Sequence, residues 1–359
     1  MAERLLLERE QRQQAYRRNK RREELRKDVS AIYHSYNEIL EFFKQRTGCP
    51  HWIGTVGIGI CVSGQEYLDE PAFAVMLGEF SPGAFKIFSG VRSTDDVARK
   101  RFTCGERPAN FAIVHADPRN NDVPELIAGL AGKLESGFVV GGLSSSRHQN
   151  PQIADKVIEG GVSGVLFGED VTIATRLTQG CSPIGPKHVV TQAQRNIIIK
   201  LDDRPALDVL KEDVGERLAR DLNRLGGVIF AGLPIKGTDT GDYLVRNLVG
   251  IDPARGIVAI GDLVENGRSI MFCRRDTKSA TEDMTRMLDS MKKGLYTKPR
   301  GGVYYSCLGR GANLFGPDSE ELKMIKSAFG EFPLVGFFCN GEISHNRLYG
   351  YTGVLTLFA

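Results

Sequence analysis

Hydrophobic positions along the chain form a series that occurs twice. Each copy combines a strand pattern, an amphipathic helix pattern and two further strand patterns. The first copy consists of FAIVH (111–115), DVPELIAGLAGKL (122–134), GFVVGGLSS (137–145) and GVSGVLFG (161–168). The second consists of GGVYYSCLGRG (301–311), DSEELKMIKSAFG (318–330), FPLVGFFCNGEI (332–343) and YGYTGVLTLF (349–358). The repeated order predicts an internal duplication of a strand–helix–strand–strand unit.

Glycines support an alignment of the two copies. Gly141 aligns with Gly336, and Gly164 aligns with Gly353. A third, incomplete copy is predicted near the start, without an evident leading strand. Its segments are a helix at 36–46 and strands at 51–62 and 71–78.

The residues between the two full copies predict mostly strands. Alternation of apolar and polar residues indicates strands over 171–181, 188–194 and 196–203. Four more strands are predicted over 226–235, 243–252, 256–262 and 269–276. Two helices are predicted, at 205–225 with Pro205 early in it and at 278–292. The pattern as a whole predicts an α+β fold of mixed, largely antiparallel sheets with outer helices, in two associated halves.

Charge is concentrated at the start of the chain. Residues 1–28 contain ten Lys/Arg and six Asp/Glu and predict a charged helical extension, whereas the remainder contains 37 against 38. This extension has almost no apolar stripe, so we interpret it as solvated or as a helix that binds a partner protein. A near-neutral body gives no reason to expect nucleic acid. No apolar run reaches the ~18 residues of a membrane span, so no membrane contact is expected.

Cysteine usage suggests a reducing compartment. The seven cysteines show no C-x-x-C spacing and no histidine at ligand spacing, which argues against disulfides, a metal site or a metal cofactor. The start also lacks the apolar core of a secretory signal. We therefore expect a cytoplasmic protein without a cofactor.

Three glycine-containing loops are the candidate chemistry. They are QGCSPIGP (179–186), CLGRGANLFG (307–316) and CNGEI (339–343). Glycine permits close backbone approach, and such loops can present N–H donors to an anion. Each loop can equally be a structural turn. The candidate ligand-binding residues are Gly180, Cys181, Gly309, Arg310, Gly311, Gly341 and Glu342.

Several long motifs in order resemble the FIST family (F-box and intracellular signal transduction), in its bacterial stand-alone form. They are HWIGTVGIGI (51–60), GGLSSSR (141–147), LTQGCSPIGP (177–186), YLVRNLVGIDP (243–253), FCRRD (272–276), SCLGRGANLFG (306–316), GFFCNGEI (336–343) and LYGYTGVLTLF (348–358). The resemblance implies a FIST N-terminal domain over 29–203 and a FIST C-terminal domain over 204–359. It also implies a sensory module for small ligands, with amino acids the proposed class, that passes its signal to a separate partner protein.

The three loops suggest how such a ligand would be held. If they converge, Arg310 could bind a carboxylate and Glu342 an ammonium group, a set that complements a zwitterion. The rival hypothesis is a thiol-dependent hydrolase or transferase that uses Cys181 or Cys307. That enzyme would need a base within hydrogen-bond reach of the thiol, and the sequence places only His188 near Cys181.

Overall fold

The computed structural model describes residues 36–235 and 243–359, so the charged extension predicted over 1–28 lies outside the described residues. The helices are α1 (Tyr36–Thr47), α2 (Thr94–Arg99), α3 (Val123–Ala131), α4 (Ala206–Val214), α5 (Glu216–Ala219), a 3-10 turn (Leu222–Arg224), α6 (Thr277–Gly294), α7 (Ala312–Phe315) and α8 (Glu320–Phe329).

Strands make up most of the remaining secondary structure. Before α4 they are β1 (Ile53–Thr55), β2 (Gly59–Val62), β3 (Gln65–Leu68), β4 (Phe85–Val91), β5 (Thr103–Cys104), β6 (Arg107–Pro108), β7 (Phe111–Ala116), β8 (Phe138–Leu143), β9 (Gln152–Ala154), β10 (Val157–Ile158), β11 (Val162–Phe167), β12 (Ile173–Gln179), β13 (Cys181–Pro183), β14 (His188–Gln194), β15 (Ile197–Leu201) and β16 (Arg204–Pro205). After it they are β17 (Ile229–Pro234), β18 (Tyr243–Asp252), β19 (Ile257–Ile260), β20 (Ser269–Arg275), β21 (Gly301–Cys307), β22 (Leu334–Cys339), β23 (Glu342–His345), β24 (Arg347–Tyr349) and β25 (Thr352–Phe358). The α+β fold predicted from the sequence is confirmed.

Two six-stranded sheets repeat one topology. The first sheet has the order β24-β23-β8-β7-β11-β4, and the second has the order β3-β2-β22-β21-β25-β12. In each, a helical crossover joins a parallel pair, β7 with β8 and β21 with β22. The next strand, β11 or β25, runs antiparallel to the first member of that pair. The structure therefore contains the duplicated strand–helix–strand–strand unit.

The aligned residues Gly141 and Gly336 must both be glycine for the same physical reason. A Cβ on Gly141 would lie 1.8 Å from the Val114 carbonyl oxygen, and one on Gly336 would lie 1.7 Å from the Tyr304 carbonyl oxygen. Neither parallel pair can form with a side chain at that position. The alignment of Gly141 with Gly336 is confirmed.

The second glycine alignment is wrong by two residues. Val114 pairs with Gly164 across β7 and β11. Its counterpart Tyr304 pairs with Leu355, while Gly353 lies two residues earlier along β25. Local sequence similarity misplaced the register because neighbouring strands, not spacing along the chain, set it.

The two sheets pack face to face with helices on the outside. Their shared core contains Ile113, Val140 and Val165 from the first sheet and Tyr305 and Val354 from the second. Helix α3 covers the outer face of the first sheet, and α6 and α8 cover that of the second. The result is a helix–sheet–sheet–helix arrangement.

An exchange of hairpins joins the halves. The β23-β24 hairpin follows β22 in the chain but pairs with β8 of the first sheet. In return, the β2-β3 hairpin from the start of the chain pairs with β22 of the second sheet. Neither sheet is complete without strands from the other half.

The middle segment closes into a barrel. Strands β20, β14, β15, β19, β18 and β17 pair in that order, and β17 pairs back to β20. Helix α4 contributes to its core, together with residues such as Val190, Ile198 and Phe272. Strands on both sides of the boundary expected at 203/204 belong to this barrel, and that boundary stays a prediction.

Three local predictions require correction. Residues 71–78 form no paired strand, because the alternation of apolar and polar residues does not by itself supply a neighbouring strand. Of the segments predicted for the third copy, the helix (α1) and strands within 51–62 (β1 and β2) form, whereas the strand at 71–78 does not. The helix predicted over 205–225 ends at Val214, because Gly215 adopts a φ of 76°. Across the described ranges, none of the helices has the length and apolar character needed to cross a bilayer.

Candidate functional site

The loop after β21 contains a buried ion pair. Arg310, in this loop, and Glu321, in the first turn of α8, both have 0% exposed side chains, and Arg310 Nε donates to Glu321 Oε1 at 2.7 Å. Glu321 also accepts hydrogen bonds from Tyr304 Oη (2.6 Å), Ser306 Oγ (3.1 Å) and the Gly311 N–H (2.9 Å). Four donors compensate this buried carboxylate.

The far end of the Arg310 guanidinium is not compensated in the same way. Its Nη1 and Nη2 atoms are buried and have no hydrogen-bond partner among the described residues. The guanidinium carbon lies 5.0 Å from the centre of the Phe315 ring, a contact that stabilises a cation. A fixed cation therefore retains two nitrogen atoms with donor capacity.

Glu342 also lacks a hydrogen-bond partner among the described residues, on one of its two carboxylate oxygens. One carboxylate oxygen, Oε2, accepts hydrogen bonds from the Thr352 N–H (3.1 Å) and hydroxyl (2.8 Å). The other, Oε1, is buried and has no partner within residues 36–235 and 243–359. Burial raises the pKa of Glu342 to about 8, against the opposing effects of the Thr352 hydrogen bonds and the Arg310 charge. Removal from water disfavours the charged form more than these neighbours restore it.

The structure brings the three predicted loops together. Cys307 and Cys339 are paired in register at the ends of β21 and β22, so the loops with Arg310 and Glu342 begin side by side. A Cβ on Gly180 would lie 3.3 Å from Arg310 Nη1, which places the QGCSPIGP loop against the guanidinium. Whether this cluster binds a ligand stays a prediction.

The glycines contribute differently from expectation. The Gly180 N–H donates to the Tyr351 carbonyl oxygen (2.8 Å), and the Gly311 N–H donates to Glu321. Gly309 packs on the Tyr351 ring, and Gly341 on aliphatic side chains. The expected N–H donors of Gly180 and Gly311 therefore stabilise the protein itself, and the unsatisfied atoms belong to side chains.

Two acidic residues of the cluster were missed by the sequence analysis. Glu321 was interpreted only as part of a helix start. Glu66 lies in β3, and its Oε2 is buried without a partner among the described residues; a Cβ on Gly311 would lie 2.6 Å from that atom. Burial, and then the charge of Glu321, raises the pKa of Glu66 to about 7. No sequence signal links β3 to this loop, because the contact depends on the exchanged hairpin.

The barrel covers one side of the cluster. Arg275 of β20 donates through Nη2 to the carbonyl oxygens of Gly309 and Asn313. Tyr351 lies between β24 and β25, and its hydroxyl donates to Asn247 Oδ1 of β18 at 2.6 Å. These polar contacts beside Arg310, together with the packing of the Tyr351 ring on Phe230 of β17 (centroids 4.4 Å apart), hold the barrel against the loops of the second sheet.

The geometry offers no activation of either candidate thiol. Burial raises the pKa of Cys181 and of Cys307 to about 12, so both stay protonated at neutral pH. His188, at the start of β14, instead contacts Asp202 Oδ2 (2.6 Å) and Asp213 Oδ2 (3.0 Å). No histidine or carboxylate of the described residues hydrogen-bonds to Cys181 or Cys307. Within the same residues, no group of three or more His, Cys, Asp or Glu side chains is placed to hold a metal ion.

Comparison with known proteins gives a consistent result. The FIST N domain family matches residues 29–204, and the FIST C domain family matches residues 206–345. An uncharacterised protein of Mycobacterium tuberculosis strain H37Rv is 32% identical over 321 residues, which is 85% of this chain and 83% of that protein. An uncharacterised protein of Mycobacterium bovis is 28% identical over 336 residues, which is 89% of this chain and 86% of the relative.

Proposed function

This chain belongs to the FIST family, whose domains are sensory modules of signal transduction, and from that premise we propose that it binds a small zwitterionic ligand between Arg310 and Glu342. An amino acid is the proposed ligand class. A separate partner protein would receive the signal, and the free thiols favour a cytoplasmic setting.

The proposal rests on two buried side chains, one basic and one acidic, that each have atoms without hydrogen-bond partners in the described part of the chain. Arg310 has unpartnered Nη atoms and Glu342 an unpartnered Oε1, counted over the described residues, and both side chains are 0% exposed. Leaving such groups unsatisfied costs on the order of 1–3 kcal/mol each, and more for charged groups. A ligand with a carboxylate and an ammonium would satisfy both at once.

Access to these groups requires movement, and movement is what a sensor needs. Because both side chains are fully covered, a ligand reaches them only when neighbouring contacts break. The Arg275 contact to Gly309 and the Tyr351 contact to Asn247 join the barrel to the loops of the second sheet. Under this proposal, ligand binding shifts the barrel relative to the sheets, and a partner protein detects the change.

The test is a thermal-shift screen of the full chain against the twenty amino acids, followed by calorimetry on any compound that stabilises it. A ligand present at 100 times its Kd stabilises the folded state by about 2.7 kcal/mol. For each hit, two truncated analogues are measured, one without the ammonium group and one without the carboxylate.

Glu342→Gln is the matched variant, because glutamine can still accept from Thr352 but carries no charge. It should weaken binding at least about tenfold, while Glu159→Gln, at an exposed site in the first half, leaves binding unchanged. Equal binding of the ammonium-free analogue, or equal affinity of the Glu342→Gln variant, would refute the zwitterion site. A screen without any hit would argue against the amino-acid class.

A further inference from the structure

The first sheet has a free edge with an adjoining groove. Strand β4 is the last strand of its sheet and pairs only with β11. One cleft of about 440 Å³ is lined by residues that include Phe80, Phe85 and Asp155. A second of about 400 Å³ is lined by residues that include Phe88, Phe102 and Asp155. Both clefts share Lys86 and Ile87, so they form one groove along β4.

The backbone of β4 has unused hydrogen-bonding capacity on its outer side. The Gly168 N–H donates to the Ala84 carbonyl oxygen (2.9 Å) across β11 and β4. Alternation in an antiparallel pair then directs the N–H and C=O groups of Phe85 and Ile87 away from β11. No hydrogen bond from the described residues reaches these outer groups. An unpaired edge of this kind is a template for strand addition.

The charge around the groove is unbalanced. Lys86, Lys100 and Arg101 line it and are exposed, and no described acidic residue forms an ion pair with any of them. The carboxylate of Asp155 already accepts the Trp52 N–H (2.8 Å) and contacts His51. An incoming acidic residue would therefore meet three cations that lack a salt-bridge partner among the described residues.

The positive charge of the groove also indicates which kind of segment binds there. The chain's own residues 1–28 carry ten basic and six acidic side chains, so they would be repelled by the groove. A second copy of β4 would bring another Lys86 against the first. We propose that the β4 groove binds an acidic, extended peptide segment of a different protein, which adds to the first sheet as an antiparallel or parallel strand.

The dimensions fit a short segment. The five residues from Phe85 to Ser89 that line the groove span roughly 17 Å at about 3.3 Å per residue. A partner strand of this length can form backbone hydrogen bonds to Phe85 and Ile87 and place alternate side chains in the two clefts. Acidic residues at its ends would reach Lys86, Lys100 and Arg101. This surface lies at the β4 edge of the first sheet, whereas Glu342 lies in β23 near the opposite edge, so the groove is distinct from the Arg310–Glu342 cluster.

The experiment selects peptides from a random 12-residue display library on the full chain. Selected sequences should be acidic, and their synthetic copies should bind with a Kd that rises with salt concentration. The triple variant Lys86→Glu, Lys100→Glu, Arg101→Glu should weaken binding by roughly tenfold or more.

The matched control reverses three exposed lysines near the end of α6, Lys292→Glu, Lys293→Glu and Lys298→Glu, which changes net charge equally. This control should leave peptide affinity within about twofold, since surface charges beyond a Debye length are screened. Equal losses in both triple variants would overturn the proposal, as would selection of peptides without acidic residues or of none at all.

Hydrogen exchange provides a readout that does not depend on substitution. On addition of a selected peptide, the amide protons of Phe85 and Ile87 should exchange more slowly, because strand addition engages them. Protection confined to any other segment would overturn the strand-addition geometry. Peptide-independent self-association through β4, seen by sedimentation, would overturn the choice of a different protein as occupant.

Discussion

The two sheets share one topology but differ at the ends of their parallel strands. After β7 of the first sheet, the Asp117 carboxylate accepts from the Arg119 N–H, Nε and Nη2 and from the Gly160 N–H. In the loops that follow the parallel strands β21 and β22 of the second sheet, Arg310 and Glu342 retain atoms without partners among the described residues. Duplication supplied the same frame twice, and only one copy left its charges incompletely compensated.

The difference also appears in the titration of the acids. Burial acts to raise the pKa of Asp117, but the hydrogen bonds and charge of Arg119 outweigh it, and the pKa lies below its usual value. For Glu342 burial prevails and the pKa is raised to about 8. Asp117 is therefore held ionised in a structural ion pair with Arg119. The charge of Glu342 depends instead on the groups that contact it.

The largest expected effect on stability comes from removing Arg310, and Arg119 is the arginine to compare it with. Arg310→Ala leaves Glu321 buried without its cation and should lower the free energy of unfolding by about 3–5 kcal/mol. Arg119→Ala removes a half-exposed partner of Asp117 and should cost much less. Urea denaturation of both variants at pH 7 measures the difference. Similar losses in the two variants would mean that the sheets do not differ in this way.

The next effect tests whether the two copies are equivalent in their strand pairing. Gly141→Ala and Gly336→Ala each place a Cβ within 2 Å of a neighbouring carbonyl oxygen, and each should destabilise the fold by about 3 kcal/mol. Gly250→Ala is the control, because its Cβ would lie 3.7 Å from Ala259. Thermal and urea unfolding check the prediction. If one of the first two variants were as stable as the control, the close approach in that copy would be incorrect.

The smallest effect, taken per pH unit, is the dependence of stability on pH. Between its ordinary value of 4.5 and about 8, Glu342 keeps a proton in the folded state that the unfolded chain has lost. Stability should therefore fall as pH rises through this range, by up to about 1.4 kcal/mol per pH unit. Glu66 adds to the fall up to about pH 7. Glu342→Gln should flatten the profile, most clearly between pH 7 and 8.

Asp117→Asn tests a carboxyl group whose pKa is lowered, whereas that of Glu342 is raised. The lowered pKa of Asp117 contributes stability that is present above its ordinary value of 3.8 and is lost as pH falls through the folded value. The variant should therefore lose stability at neutral pH yet keep the slope between pH 5 and 8. An unchanged slope in Glu342→Gln, measured by urea denaturation at one-unit pH intervals, would contradict the raised pKa of Glu342.

The sequence predicted the repeated units well because their signals are local. Helices α3, α6 and α8 have amphipathic patterns and nearby stop signals, and the buried strands β7, β8 and β22 are short apolar runs. Gly141 and Gly336 could be matched since each follows a valine within such a run. Residues 71–78 show the limit of such signals, because alternation predicts a strand but does not supply a neighbouring strand to pair with it.

By itself the sequence determined the α+β composition, the duplicated unit and the loops with Arg310 and Glu342. Only the tertiary structure decided the hairpin exchange, the closure of the barrel and the meeting of Glu66, Glu321 and Arg310. The reason is physical: helix and strand periodicity depends on residues a few positions apart, whereas strand pairing and the compensation of a buried charge depend on groups far apart in the chain. Which charges remained unsatisfied could therefore be learned only from the folded arrangement.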